Sequence, residues 1–385
     1  MKAYPRKVRQ RWKHSMETTD YQKDERLQWL RYVLEPSGTM PAVSDWQGLL
    51  DFAIKQALTG ICMPLHCREN IDKVLLIKWI RACLRIENRN KLLNKQSARL
   101  YAKLKKEGLR CCILKGQGNA MMYPNPLMRG AGDIDVWVDA TEEELLTFVK
   151  SVFPNEKESF KHIKFPVFKN TEVDMHYVPL KMYHPTNNRR LQTWIEQKKE
   201  EQMTHYVRLD GTETDIAIPT VAFNAVYQLG HILIHVEDKG IGLRQMVDYY
   251  YLLRLVGSLG DAEKAEIVET WKLVGLRKLA GAVMWVEKEL LGLPEQFLLV
   301  EPDEKTGRLL AEDIMEGGNF GQHSSRENYR IHGRYAKKCA DVWHLVKLSV
   351  CFPREAFFKI ISKVRTGERI IKKSITRWRN KTISK

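Results

Sequence analysis

"CCILKGQGNAMMYPNPLMRGAGDIDVWVDA", residues 111–140, sets two aspartates, Asp133 and Asp135, among apolar residues of strand character. In a strand, residues i and i+2 face the same way. Asp133 and Asp135 therefore project side by side, and Ile134, Val136 and Val138 point to the other face. Two like charges at that distance repel, and burial raises at least one carboxyl pKa. A divalent cation compensates them: Mg²⁺ takes a few carboxylates and keeps its other positions for phosphate oxygens and water. A third acid, Asp174, stands between Val173 and Met175 in "EVDMHYV". With that strand beside the first, three carboxylates converge. They can hold two metals, one on a triphosphate and one activating an attacking hydroxyl.

The residues upstream fit phosphate. "LKGQG" follows a short apolar strand, "LRCCIL", and precedes about one helical turn, "NAMMY", stopped by "PNP". A glycine turn lets backbone N–H groups approach phosphate, aided by the helix N-terminus. Lys115 adds a point charge, and Arg129, just before Asp133, offers a guanidinium fork.

Outward from this stretch the texture divides the chain into four parts. Residues 1–108 read as helical: "DWQGLLDFAIKQALTG" has apolar positions at three and four with Gly60 as its stop, and a longer pattern runs from about Ile71 to Lys106. Residues 109–219 read as a small mixed α/β unit. It holds the strands above, a helix from Thr141 to about Val152 opened by a Thr141/Glu144 capping box, a strand in "IKFPVFK", and a hairpin around Asp210-Gly211. Residues 220–352 are helical again. Residues 353–385 form a basic amphipathic tail. The expected fold class is α+β, a mixed β-sheet core between helical N-terminal and C-terminal regions.

Composition narrows the function. The chain of 385 residues carries a formal net charge of +16, but from Arg354 to Lys385 there are eleven Lys and Arg against two Glu. An argument for polyanion binding therefore rests on the tail, where Ile371, Ile375 and Trp378 recur at helical spacing between cations. Such a stretch suits an anionic membrane surface or RNA; a solvated terminal helix is the plainer reading. No apolar run reaches the roughly 18 residues of a membrane span. The basic start, "MKAYPRKVRQRWKH", leads into no apolar core of a secretory signal. Seven cysteines without paired metal-ligand spacing read as reduced thiols of a cytoplasmic protein. Tail binding would bring it to the inner face of the membrane.

In the helical half, His231 and His235 lie four apart on one face, without a third ligand for zinc. They read as packing residues or as groups facing the cleft, and His176 is a further cleft candidate. Arg244 and Asp248, also four apart, read as an ion pair at the seam with the α/β unit; Arg244 on the nucleotide or acceptor is the second reading. The Tyr249–Tyr251 run reads as packing.

Strand, glycine turn, helix, an apolar-flanked Asp-x-Asp and a later flanked Asp together resemble the nucleotidyltransferase core of the DNA polymerase β superfamily. More closely, "LKG…YPNP…R…GDIDVWV", "VDMHY" and "GIGLRQMVDYYYLL" resemble the uncharacterised bacterial nucleotidyltransferases often encoded near surface-polysaccharide genes. The match covers roughly residues 110–255. It departs from many superfamily members in having Lys115-Gly116 at the turn and a long, Pro-containing spacing to Asp133. The resemblance implies that Asp133, Asp135 and Asp174 are catalytic and bind Mg²⁺, with Mn²⁺ as an alternative. It also implies that Lys115, Gly116, Gln117 and Arg129 bind the nucleotide. The expected activity is transfer of a nucleoside monophosphate from a nucleoside triphosphate, ATP included, to an acceptor of unidentified class, with a link to surface-polysaccharide synthesis. The alternatives are modification of RNA or protein, or a non-catalytic binding or scaffold protein on the same fold.

Overall fold

The aspartate strands pair as their spacing predicts. In a computed structural model, which describes residues 20–65, 68–154, 163–324 and 334–362, four strands make one mixed sheet. These are β1 (Cys111–Leu114), β2 (Ile134–Val138), β3 (Ile163–Lys164) and β4 (Val173–His176), in the order β1-β2-β4-β3. β2 runs antiparallel to β1 and parallel to β4, with Asp135 opposite Asp174. The expected strand "IKFPVFK" shortens to two residues. Pro166 has no N–H to give a ladder, and the chain resumes pairing only at a Phe168–Thr171 bridge.

Every residue of β1 and β2 is buried, so the sheet is covered on both faces. Trp137, on the same face as Asp135, stacks on Phe223 at 5.8 Å, and Phe223 stacks on Trp194 at 4.8 Å. This aromatic stack closes one end of the face and leaves the aspartate end open. Adjacent Cys111 and Cys112 are both buried, and burial pushes the Cys111 thiol up to about 12. That makes it an inert packing group.

Helices surround the sheet. Before it come α1 (Glu25–Leu34), α2 (Trp46–Lys55) and the 34-residue α3 (Lys73–Lys106). Asp72 caps α3 by accepting from the Val74 and Leu75 amides. α2 stops before the expected Gly60, because Ala57 turns to φ 57° and the Leu58 amide bonds back to Ala53. Within the sheet region lie α4 (Gly116–Ala120), α5 (Glu142–Val152), which carries the predicted Thr141/Glu144 capping box, and α6 (Pro185–Thr204). The hairpin strands β5 (Tyr206–Arg208) and β6 (Asp215–Ala217) follow. Then come α7 (Val221–Asp238), α8 (Leu243–Val256), α9 (Asp261–Leu273), α10 (Arg277–Glu289), α11 (Glu304–Gly317) and α12 (Arg334–Leu348). Tyr249, Tyr250 and Tyr251 pack in the core as expected. The Ile371, Ile375 and Trp378 stripe of the tail lies outside the described residues.

Candidate active site

Three carboxylates, Asp133 just before β2, Asp135 within it and Asp174 in the parallel β4, meet at one end of the sheet. Oxygens of Asp133, Asp135 and Asp174 all lie within 4.8 Å of one another, with Asp133 exposed and the other two buried. Among the described residues this is the one such cluster of metal-ligating groups. Its donors are all hard oxygens, the set that suits Mg²⁺ or Mn²⁺ rather than zinc.

Asp135 is already held by cationic and ring N–H groups. Lys115 Nζ lies 2.8 Å from its Oδ2, and His176 Nε2 lies 2.8 Å from its Oδ1. Burial alone would raise the Asp135 pKa. Lys115 and His176 outweigh it and hold the carboxyl well below the usual carboxylate range. Lys115 also sits 2.7 Å from His231 Nε2. Burial, then Lys115 and His235, push the His231 pKa well below its ordinary value, so the imidazole is neutral and accepts from the ammonium. Burial and Lys115 lower His235 in the same way, to about 3. Both histidines line a cavity with Lys115, Asp133 and Asp135. They face the cleft, and among the described residues they belong to no cluster of three metal-ligating groups.

The glycine turn is bent to present Lys115. That residue stands at φ 47°, ψ −136°, a conformation costly for a side chain with a Cβ, and Gly116 follows at φ 38°. Strain of this kind costs about 1–3 kcal/mol and persists where the surroundings enforce it. α4 is one short turn of five residues, so it contributes little of a helix dipole. Asn119 at its end accepts from Gln228 Nε2 at 3.1 Å and Asn224 Nδ2 at 3.3 Å, which docks the turn on α7.

Two of the expected phosphate ligands are otherwise engaged. Gln117 is buried and donates its amide to Asn94 of α3. Arg129 is buried against Asp248 in a two-pronged pair, Nε to Oδ1 and Nη2 to Oδ2, both at 2.7 Å. Tyr123 Oη donates to the same Oδ1 at 2.5 Å. The expected Arg244–Asp248 pair is therefore replaced. Asp248 reaches across to the loop before β2, where it takes the Arg129 fork and the Tyr123 hydroxyl, while Arg244 meets the Gly130 carbonyl and the Phe320 ring. Arg244 turns into the cavity. Tyr123 opens the "YPNP" of the resemblance, but nothing in the sequence pointed to its bond with Asp248, nor to Phe320, which comes to the cavity from a turn after α11.

Residues 42–292 match a family described as uncharacterised nucleotidyltransferases. The chain belongs to this family. A solved structure, an antigenic nucleotidyltransferase-like protein from Paracoccidioides brasiliensis, is similar at 13% identity and a TM-score of 0.35, over 55% of this chain and 95% of that one. No curated protein matches the chain. The family segment contains the aspartate cluster, the Lys115 turn, Arg129, both cleft histidines and Arg244. Among the described residues no helix is long and apolar enough to cross a membrane.

Proposed function

We propose that this protein transfers a nucleoside monophosphate from a nucleoside triphosphate to an acceptor hydroxyl, with Asp133, Asp135 and Asp174 holding the divalent metal. The observation that carries this reading is the convergence of the three carboxylates within 4.8 Å of one another beside the Lys115 turn. In the reaction the acceptor oxygen bonds to the α-phosphorus, the bond from that phosphorus to the bridging oxygen breaks, and pyrophosphate leaves. A bound cation supplies charge neutralisation on the triphosphate and lowers the pKa of the hydroxyl.

The chain's own residues do the positioning. Lys115 spends two of its three ammonium N–H groups on Asp135 and His231, and the third remains for a phosphate oxygen. His231 and His235 stay neutral and add no like charge beside Lys115. Asp174, from the neighbouring strand, is suited to the acceptor side, where it takes up the hydroxyl proton. Catalysis of this kind is mainly positioning and electrostatics. The acceptor class is open, with surface-polysaccharide precursors the reading to test first and RNA or protein next.

Asp133→Asn is the cleanest test, because Asp133 is exposed and its loss should leave the fold intact. Magnesium-dependent triphosphate binding, followed by calorimetry, should disappear while the thermal transition stays put. Asp174→Asn should keep much of that affinity and lose roughly a hundredfold or more in transfer rate, about 3 kcal/mol in the barrier. Unchanged metal titration in Asp133→Asn, or wild-type turnover in Asp174→Asn, removes the proposed site.

A further inference from the structure

Arg244 is a buried cation with no carboxylate of its own. Among the described residues only Nη1 has a hydrogen-bond acceptor, the Gly130 carbonyl at 3.2 Å, and the buried Nε has none. Among the described residues no acidic group comes within ion-pair distance of it. Asp248, the nearest candidate, has both oxygens taken up by Arg129 and Tyr123. Arg129 and Arg244 thus share one carboxylate, which leaves a surplus positive charge at a buried position. Burial, then the neighbouring Arg129, disfavour that charge, and Asp248, Tyr123 and Asp133 offset them only in part. An uncompensated charge in a low-dielectric site is costly unless an anion meets it.

The guanidinium is nevertheless held in place. It lies 5.3 Å from the centre of the Phe320 ring, a cation–π distance. Its aliphatic stem packs on Gly130, where an added Cβ would come 3.3 Å from Arg244 Cδ and 2.7 Å from the Ala57 carbonyl. The loop leading to Asp133 is therefore fitted around this side chain. Arg244 and the Lys115 turn line the same cavity, with Asp133 and Asp135 also on its wall. The cavity volume is ≈ 70 Å³. One ordered water needs roughly 10–15 Å³, and sites for drug-sized ligands begin near roughly 300 Å³. A space of that size holds a few ordered waters or phosphate oxygens.

We infer that Arg244 receives the terminal phosphates of the triphosphate, and the pyrophosphate formed from them, as a positioning residue opposite Lys115. This deepens the proposed activity and rests on it for the direction in which the triphosphate lies. Polyphosphate would span the cavity from the Lys115 ammonium to the Arg244 fork. The nucleoside would lie outside, toward the open end of the sheet.

The probe is inorganic pyrophosphate with Mg²⁺, which is independent of base preference. Arg244→Gln should weaken pyrophosphate binding about tenfold or more, the scale expected for a lost charge-assisted hydrogen bond. A nucleoside should be unaffected. Arg244→Lys keeps the charge without the fork and should fall between, which preserves the test if the Gln variant does not fold. Bound pyrophosphate should also be displaced by the four common nucleoside triphosphates supplied as a mixture. Unchanged pyrophosphate affinity in both variants overturns the inference. So does simultaneous binding of triphosphate and pyrophosphate, which would assign Arg244 to a phosphate on the acceptor. Pyrophosphate binding that depends on Arg244 in a protein that transfers no nucleotide would sink the activity and leave this site standing. Transfer that depends on Asp133 with no role for Arg244 would do the reverse.

Discussion

At the scale of single residues, the fold gives different partners to two arginines that look alike in the sequence. Arg129 stands four residues before Asp133 and reads as the phosphate fork, whereas its charge is consumed by Asp248 in a buried pair. Arg244 reads as the partner of Asp248 and has no such pair. Spacing of four on a helix is a weak guide here, because a buried carboxylate is satisfied best by a coplanar fork and hydroxyl wherever they come from. The distinction has a measurable consequence. Arg129→Gln or Asp248→Asn leaves a buried charge uncompensated and should cost about 3–5 kcal/mol of stability. Urea unfolding of either variant beside Asp133→Asn checks this. A loss of triphosphate affinity in Arg129→Gln with the unfolding midpoint unchanged would return Arg129 to the phosphates.

At the scale of elements, the readable parts were those fixed by local chemistry. The capping box at Thr141, the long helix ending at Lys106 and the strands carrying Asp133, Asp135 and Asp174 follow from periodicity and end signals. The Asp135–Asp174 register was less legible, because pairing between strands 39 residues apart is set by packing and not by spacing. The neutral histidines were invisible too, since their state depends on burial first and then on Lys115 arriving from another element. The same holds for the helix over residues 353–362, which reads as the start of a solvated tail and is tied to the core instead. Glu355 accepts from the Tyr183 and His184 amides at 2.7 and 2.9 Å, and buried Lys359 pairs with Asp238 at 2.5 Å and Glu237 at 3.3 Å. Burial pushes Glu237 from 4.5 up to about 7; Lys359 opposes the shift and Glu355 and Asp238 add to it. A raised carboxyl pKa means the folded chain keeps a proton that the unfolded chain has lost. Stability attached to Glu237 is therefore fully present below about 4.5 and is lost as pH rises through about 7. Glu237→Gln removes that titration and leaves Lys359 its Asp238 partner. Between pH 4.5 and 7.5 the variant should gain about 2–3 kcal/mol relative to the wild type. Parallel pH profiles of unfolding free energy in the two proteins would show that Glu237 titrates normally.

At the scale of the whole molecule, the family segment 42–292 crosses both boundaries expected for the α/β unit, at 108 and at 219. The crossings have a physical basis. Lys115 and Asp135 face His231 from α7, Arg129 is closed by Asp248 from α8, and Gln117 is held by Asn94 from α3. The cleft is thus built jointly by sheet and helices, and the sheet region alone would expose Trp137, which stacks on Phe223 of α7, and strand Arg129. The other end of the chain is where the charge lies. After Ser362 there are nine Lys and Arg against one Glu, while Glu355 and Lys359 before it belong to the fold. Two truncations separate those roles. A chain ending at Ser362 should lose its salt-sensitive association with vesicles of anionic lipid or with RNA, and keep its thermal transition and triphosphate binding. A chain ending at Phe352 also loses Lys359 and Glu355. Buried Glu237 is then left without Lys359, and the half-buried Tyr183 and His184 amides without the Glu355 carboxylate. An orphaned buried group costs about 1–3 kcal/mol and a half-buried one less, so this chain should melt below the first. If ending at Ser362 costs as much stability as ending at Phe352, the residues beyond Ser362 pack on the core, and their cations serve the fold before any polyanion.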